Sequence, residues 1–409
     1  MSRNNFYFRF ANRLLKGSSH KWSRPVVNIS IAGIVLGITT IIISMAISAG
    51  YQQTIRNKIV GIGAHVRIAN YDNNFSYESV PFSKGNPSLA IIPKNKEVES
   101  YYYFATKTAI IKTDNQIEGV VLKGIDTTFE FQYFKQNLVA GHNIELPTSK
   151  ASSDILLSLA TAKKLQLQIG DKVRVYFVQE TPMQRQFTIS GLFETGLPEF
   201  DNLFAFIDLR HIQKTNGWDS TMVGGIEILL SDYDKIDQVG DEINGDIGYQ
   251  FKAETVKQIY PQLFEWINLL DTNVLVLMII IVIVCIITLI STFFIIILEQ
   301  IKTIGILKTL GMKNSSLSKI FLTIGSQILL KGVVIGNMIA LVFYFLQYYF
   351  HIVKLNTDIY YVGYVPVSLS VIPVILVNVA ILVTCFLSLL LPAIYIAKHT
   401  DPITAITFD

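Results

Sequence analysis

The chain has 409 residues, of which 51% are hydrophobic and only 16% charged, with a mean hydropathy of +0.42 and a formal net charge of +3. This is too apolar for an ordinary soluble protein, and the small net charge does not call for a nucleic-acid partner. The two cysteines, Cys285 and Cys385, lie in apolar runs and the six histidines are scattered. There is no GxxxxGK[ST], HExxH or GxSxG motif, so neither a catalytic centre nor a metal or cofactor site is expected.

In chain order, residues 1–25 carry Arg3, Arg9, Arg13, Lys16, Lys21 and Arg24 with no acidic residue and read as a basic N-terminal helix. Residues 26–50 are the first of four stretches that can cross a bilayer as helix, which takes about 20 apolar residues. Its end, "AISAG", offers the small residues of a signal-peptide cleavage site. However, an apolar core of about 24 residues is too long for one and three more spans follow, so the helix is read as retained.

Residues 51–272 are polar and mixed in pattern. Strand-like alternation appears in "AHVRIAN" (64–70), "GDKVRVYFV" (170–178), "QFTISGLFE" (186–194) and "GGIEILL" (224–230). Helical spacing appears in "LATAKKLQL" (159–167), "KIDQVGDEI" (235–243) and a stretch from 254 that runs into the second span, with Pro261 as a kink or a first turn. The fold class expected is a four-helix membrane protein with a large α+β domain inserted between helices 1 and 2.

The remaining spans are 273–298, 317–350 and 371–397, separated by a loop at 299–316 and another at 351–370, with a tail at 398–409. The inner loop region holds Lys302, Lys308, Lys313 and Lys319 against Glu299 alone, whereas 351–370 has only Lys354 and Asp358. The positive-inside rule therefore places both termini and 299–316 in the cytoplasm and 51–272 outside. Tyr348, Tyr349, Tyr360, Tyr361 and Tyr364 would lie at the outer interface.

The loop "EQIKTIGILKTLGMKNSS" is longer than a turn needs. Gly311 stands where a helix-ending glycine belongs, and Asn314, Ser315 or Ser316 can cap the next helix. The segment is thus a short helix on the inner face. Two readings fit it: an interfacial helix whose lysines rest on lipid headgroups, or a docking element for a cytoplasmic partner.

"EQIKTIGILKTLGM" (299–312) resembles the coupling helix of FtsX-like ABC permeases. "IFLTIGSQILLKGVVIG" (320–336) resembles that family's third helix, and "LLPAIYIAKHTDPITAI" (390–406) its closing motif. "SAGYQQTIRNKIVGIGAHVRI" (48–68), "LLSLATAKKLQLQIGDKVRVYF" (156–177) and "FTISGLFETGLPEFDNLFAFIDL" (187–209) are similar to the lipoprotein-releasing branch, the LolC and LolE permeases.

The resemblance implies a MacB-type periplasmic domain and an inner-membrane location in a diderm bacterium. It implies a permease, not an enzyme, that pairs with a separate LolD-like cytoplasmic ATPase and with a second permease copy or a sister permease. ATP-driven closure would be transmitted to the outer domain to hand acylated lipoproteins to a LolA-like periplasmic carrier. Relatives with other cargo and non-transporting regulators of cell-wall hydrolases are the alternatives. The large outer domain speaks against the latter, and about 25 residues before the first span speak against an ATPase fused ahead of it.

On this reading the coupling residues are Glu299, Ile301, Lys302, Gly305, Ile306, Leu307, Lys308 and Gly311. "QETPMQRQFT" (179–188) resembles a shorter form of the hairpin that holds the carrier, making Pro182, Met183 and Arg185 contact candidates, with an ordinary hairpin turn as the plainer reading. Acylated cargo needs an apolar lateral opening, for which Met45, Ser48, Tyr51, Ile55, Leu269 and Leu277 are the lining candidates. Gly33 and Gly37, like Gly332 and Gly336, form GxxxG pairs that let helices approach, either between copies or within one chain. Lys331 stands inside the third apolar run, where the family usually has Gln. Snorkelling to the inner interface is the favoured account.

Overall fold

The computed structural model describes residues 9–10, 23–73, 77–129, 131, 136–179, 181 and 183–399. Pro182, most of the basic N-terminal segment and most of the tail lie outside the described residues. The chain divides into two compact units. One comprises 1–53, 266–354 and 364–409, the other 54–265 and 355–363.

The first unit is built from α1 (Ser23–Gly63), α2 (Pro261–Glu299), the short α3 (Ile301–Thr309), α4 (Asn314–Phe350) and α5 (Val371–His399), with α1 and α2 continuing into the second unit. Among the described residues four helices, α1, α2, α4 and α5, are long and apolar enough to cross a membrane. They are apolar on both faces, as a bilayer span must be. Ile34, Ile38, Leu289, Phe293, Ile324 and Leu389 form a common core, while Ile283, Ile287, Met338 and Val379 stay exposed.

α2 begins at Pro261, the position where a missing N–H is harmless, and it does not extend back to 254. The stretch before it is a strand and a separate short helix, Val256–Ile259. The helices are cross-linked by polar groups that would otherwise be stranded in lipid. Asn337 and Asn378 exchange side-chain hydrogen bonds of 2.7 and 3.1 Å between α4 and α5, and Ser30 bonds Thr292 between α1 and α2.

The glycine pairs pack within the chain. A Cβ on Gly332 would lie 2.6 Å from Ile34 Cγ2, and one on Gly336 would lie 3.0 Å from Ile38 Cβ. The close approach brings the Gly336 carbonyl to the Thr39 hydroxyl, which donates to it at 3.1 Å. On α1, a Cβ on Gly37 would meet Ile281 at 2.8 Å, and one on Gly33 would meet Thr288 at 3.7 Å. Gly332→Val should therefore push α4 off α1 and cost about 1–3 kcal/mol. The expected result is a melting temperature a few degrees lower with unchanged association between copies, read by thermal unfolding and by crosslinking.

The second unit centres on strands β1 (Val66–Asn70), β2 (Phe82–Ser83), β3 (Val98–Lys112), β4 (Ile117–Ile125), β5 (Leu138–Gly141), β6 (Asp154–Ser158), β7 (Lys172–Phe177), β8 (Met183–Phe193), β9 (Phe204–Asp208), β10 (Met222–Val223), β11 (Gly225–Leu230) and β12 (Phe251–Thr255). The main sheet follows the order β12-β1-β11-β3-β4-β9-β6-β8-β5, and β7 pairs with both β3 and β8. The strands β3-β4-β9-β6-β8-β7 therefore close into a ring. Its pairs are mostly antiparallel, with parallel ladders at β4–β9 and β6–β8. Phe177, Phe187, Phe193 and Phe206 are fully buried in this unit. The helices Leu159–Leu165 and Ile236–Asp246 form where helical spacing was read.

The end of α1 is held in this unit by a buried ion pair. Lys123 Nζ lies 2.6 Å from Glu227 Oε2 and donates to the Ile62 carbonyl at 2.7 Å, with both side chains at most 3% exposed. A cation there answers the unpaired carbonyls of a helix C-terminus. Burial pulls the Lys123 pKa down, against the attraction of Glu227. Arg67 approaches the other Glu227 oxygen at 3.6 Å and hydrogen-bonds Tyr260, the residue before α2. Lys58 on α1 donates to the carbonyls of Thr195 and Tyr361 at 2.6 and 2.7 Å. Part of the connection between α4 and α5, residues 355–363, thereby belongs to the second unit.

His65, just beyond α1, accepts a 2.8 Å hydrogen bond at Nδ1 from the Leu230 N–H. Burial holds its pKa down at about 4, against an ordinary value of 6.5. The folded state keeps the ring neutral, whereas the unfolded chain takes up a proton near pH 6.5. Stability is thus full above that pH and is lost as pH falls from 6.5 towards 4, by at most about 3 kcal/mol. Unfolding midpoints measured across this range should show the slope, and His65→Gln should flatten it.

Candidate functional site

α3 is set off by a break in the chain. The Gln300 N–H bonds back to the Ile296 and Ile297 carbonyls at 3.1 Å each, and the Ile304 N–H then bonds to the Gln300 carbonyl at 2.9 Å to start the new helix. The far end closes on Gly311, whose φ of +87° suits a residue with no Cβ. Its N–H bonds to the Lys308 carbonyl and that of Met312 to the Leu307 carbonyl, both at 3.0 Å, which is the paired Schellman ending. The next helix is capped differently from expectation. Lys313 occupies the cap position with no side-chain bond, and Asn314 is the first helical residue.

The faces of α3 separate the expected coupling residues. Ile304 and Gly305 are buried, and Leu307 and Met312 pack on the membrane core. Facing out are Lys302, Ile306 at 54% exposure, Thr309, and Leu310 at 79%. Lys302, Ile306 and Leu310 follow the i, i+4, i+8 spacing of one helix stripe. Leu310 was missed from sequence, although that spacing points to it. Leu307 belongs to the inner side. Ile301 and Lys308 are half-buried and Gly311 is exposed. Glu299 is half-buried, its Oε1 enclosed with no hydrogen-bond partner.

At the β7–β8 hairpin the last paired residues are Phe177 and Met183. Met183 and Arg185 are half-buried and share the side of Phe187, which is 1% exposed, so they line the inward row. Gln184 and Gln186 face outward instead, and Val178 at the tip is 50% exposed. The more exposed residues of the hairpin are therefore Val178, Gln184 and Gln186, with Met183 and Arg185 only half-exposed.

The expected lipid lining also divides. Ile55 is fully buried and belongs to the second unit, so it lines no lateral opening. Tyr51 is buried edge-on to Trp266, with ring centroids 5.7 Å apart. Met45 is half-buried on the helical core. Leu269 and Leu277 are 57% and 38% exposed. Ser48 donates to Asp271 Oδ1 at 3.3 Å and Gln52 to the same oxygen at 2.6 Å, a polar knot that sequence reading had not picked out. Among the described residues no cluster of His, Cys, Asp or Glu could hold a metal.

A membrane helical unit carrying a mixed-sheet domain between its first two spans defines a class of permease. The sequence model of the MacB-like periplasmic core domain matches residues 29–245, and that of the FtsX-like permease C-terminal region matches 275–400. The chain belongs to this family, the FtsX-like ABC transporter permeases with a MacB-like periplasmic core domain. It is 24% identical over 397 residues to the lipoprotein-releasing system transmembrane protein LolC of Xylella fastidiosa, covering 93% of each chain. It is 20% identical to LolE of Haemophilus influenzae, covering 91% of this chain and 92% of that one. The periplasmic region of MacB from Actinobacillus actinomycetemcomitans matches at 15% identity and a TM-score of 0.35, over 52% of this chain and 97% of that one.

Proposed function

We propose that the chain is the permease subunit of a lipoprotein-releasing ABC transporter. ATP hydrolysed by a separate cytoplasmic ATPase drives the release of acylated proteins from the inner membrane to a periplasmic carrier. The observation that supports this reading is likeness to LolC of Xylella fastidiosa across 93% of both chains. The Lys302–Ile306–Leu310 stripe suits the ATPase contact, since an outward apolar pair beside a lysine is what a docking element presents. Both termini and α3 are cytoplasmic in this account, and a second copy or a sister permease completes the transporter.

α1 and α2 both run without interruption into the outer unit, so a tilt imposed at α3 has two helices to travel along. The reachable hairpin residues Val178, Gln184 and Gln186 join Met183 and Arg185 as carrier-contact candidates. Depleting the protein should strand acylated lipoproteins in the inner membrane, measured by membrane fractionation. Unchanged lipoprotein distribution after depletion would remove the proposal.

A further inference from the structure

The connection between α4 and α5 is tied at its base. Gln347, one turn before the end of α4 and 1% exposed, donates to the Val365 carbonyl at 2.8 Å and accepts the Val353 N–H at 2.9 Å. The Val365 N–H bonds to the Val353 carbonyl and the Leu355 N–H to the Gly363 carbonyl, both at 3.0 Å. Residues 355–363 therefore form a lobe on a paired base, and that lobe belongs to the second unit.

Two stations on α1 hold this connection. Within the first unit the Ser368 N–H bonds to the Ala46 carbonyl at 2.9 Å, and Pro366 lies against Gly50, where a Cβ would come within 2.6 Å of its backbone. Within the second unit the Lys58 ammonium joins the Tyr361 carbonyl of the lobe to the Thr195 carbonyl. Gly50 and Lys58 are eight residues apart on one helix, about 12 Å.

The stations differ in kind. At Gly50 backbone meets backbone with no side chain between, so that contact has nothing to rearrange. At Lys58 one partner is rigid and the other strained. Thr195 sits in a buried socket in which the Asp201 carboxylate takes its N–H at 3.0 Å and its hydroxyl at 2.8 Å, and takes the Gly196 N–H at 3.0 Å. Tyr361 has a φ of +61°, an outlier for an aromatic side chain that persists only while its surroundings impose it. The group between them is an ammonium on a flexible stem, and it is half-buried, so water can take the place of a carbonyl. Lys123, enclosed at 3% exposure, has no such exchange open to it.

We infer that the α4–α5 connection is a strap on α1 whose lower station at Gly50 is fixed and whose upper station at Lys58 is a latch. In the closed state the lobe is fastened to the socket through α1. A displacement of α1 by one helical turn against the socket, about 5 Å, carries the ammonium away from the Thr195 carbonyl. The latch then opens, Tyr361 relaxes out of the left-handed region, and the lobe lifts while the sheet behind it stays folded. The strap thus reports the position of α1 to α4 and α5, the two spans that do not themselves continue into the second unit.

Val362 offers the readout, since it lies in the lobe and is 5% exposed. The full chain carrying Cys285→Ala, Cys385→Ala and Val362→Cys is reconstituted in phospholipid nanodiscs and labelled with a charged maleimide. The buried thiol should react slowly, at a rate set by the fraction of time the lobe is lifted. Lys58→Met should raise that rate about tenfold, the weight of one hydrogen bond from a charged donor. Lys58→Gln, a neutral donor on a shorter stem, should move it the same way, so the result does not hang on the folding of one variant. Ile228→Cys, on a fully buried position of β11, should stay unreactive with either residue at 58.

A rate that neither substitution raises overturns the proposal, because the lobe is then held by other contacts. Rapid labelling with Lys58 present overturns it too, since no closed latch exists. Equal acceleration at position 228 would show that Lys58 stabilises the whole unit, which also removes the latch. None of these rates requires lipoprotein release, which succeeds or fails separately in the depletion experiment.

Discussion

A chain carrying Leu310→Asp is expected to insert and fold normally yet lose its ATPase on co-purification, and Ile306→Asp should do the same. Both residues project from α3 into solvent, at 79% and 54% exposure, so a carboxylate there disturbs nothing inside the chain. In a complex each would face an apolar pocket, where burying an unpaired charge costs several kcal/mol. Loss of a central apolar anchor alone weakens an interface by about 2 kcal/mol or more, roughly thirtyfold in affinity. Leu307→Asp serves as the contrast. That side chain packs on the membrane core, and its replacement should lower the melting temperature of the permease itself. Retention of the ATPase by both Leu310→Asp and Ile306→Asp would show that coupling runs through another surface.

The second large effect belongs to the buried pair Lys123–Glu227. Glu227→Leu leaves a lysine that is 3% exposed facing no carboxylate, and Lys123→Leu leaves the Ile62 carbonyl and most of the Glu227 charge unanswered. Removing one partner of such a pair typically costs about 3–5 kcal/mol. For a domain of this size that corresponds to a melting temperature lower by roughly 10 °C. Replacing both together by apolar residues of similar volume should recover more than half of the loss, because no buried charge is then left unpaired. Thermal unfolding of the full chain with Trp218 as its only tryptophan reads the outer unit directly. Single variants that melt with the native chain would mean that water reaches the pair.

The four spans were legible because about twenty consecutive apolar residues suit little besides a bilayer crossing. The strands β1, β7, β8 and β11 were legible because each alternates. β4 and β9 were not. β9, "FAFID", is buried along its whole length and so has no period to read. β4 carries two glycines and places Lys123 in the interior, which breaks the rule that charge faces water. Its meaning depends on Glu227, more than a hundred residues away, and pairing at that distance leaves no local trace.

The segment 299–316 shows the same division. Gly311 announced the end of its helix through residue type alone, whereas the choice between Leu307 and Leu310 as the outward residue depends on how α3 rolls against the core. Likewise Met183 and Arg185 were selected by resemblance, and the two-residue period of β8 turns them inward.

Because β3-β4-β9-β6-β8-β7 return upon themselves, β7 is braced by β3 as far as Phe177, and β8 by β6 from Thr188 to Phe193. Strain on that paired part of the hairpin passes to two neighbouring ladders and spreads around the hoop. Met183–Phe187 pair with β7 alone among the described strands, so the end of the hairpin is the least braced arc of the circle.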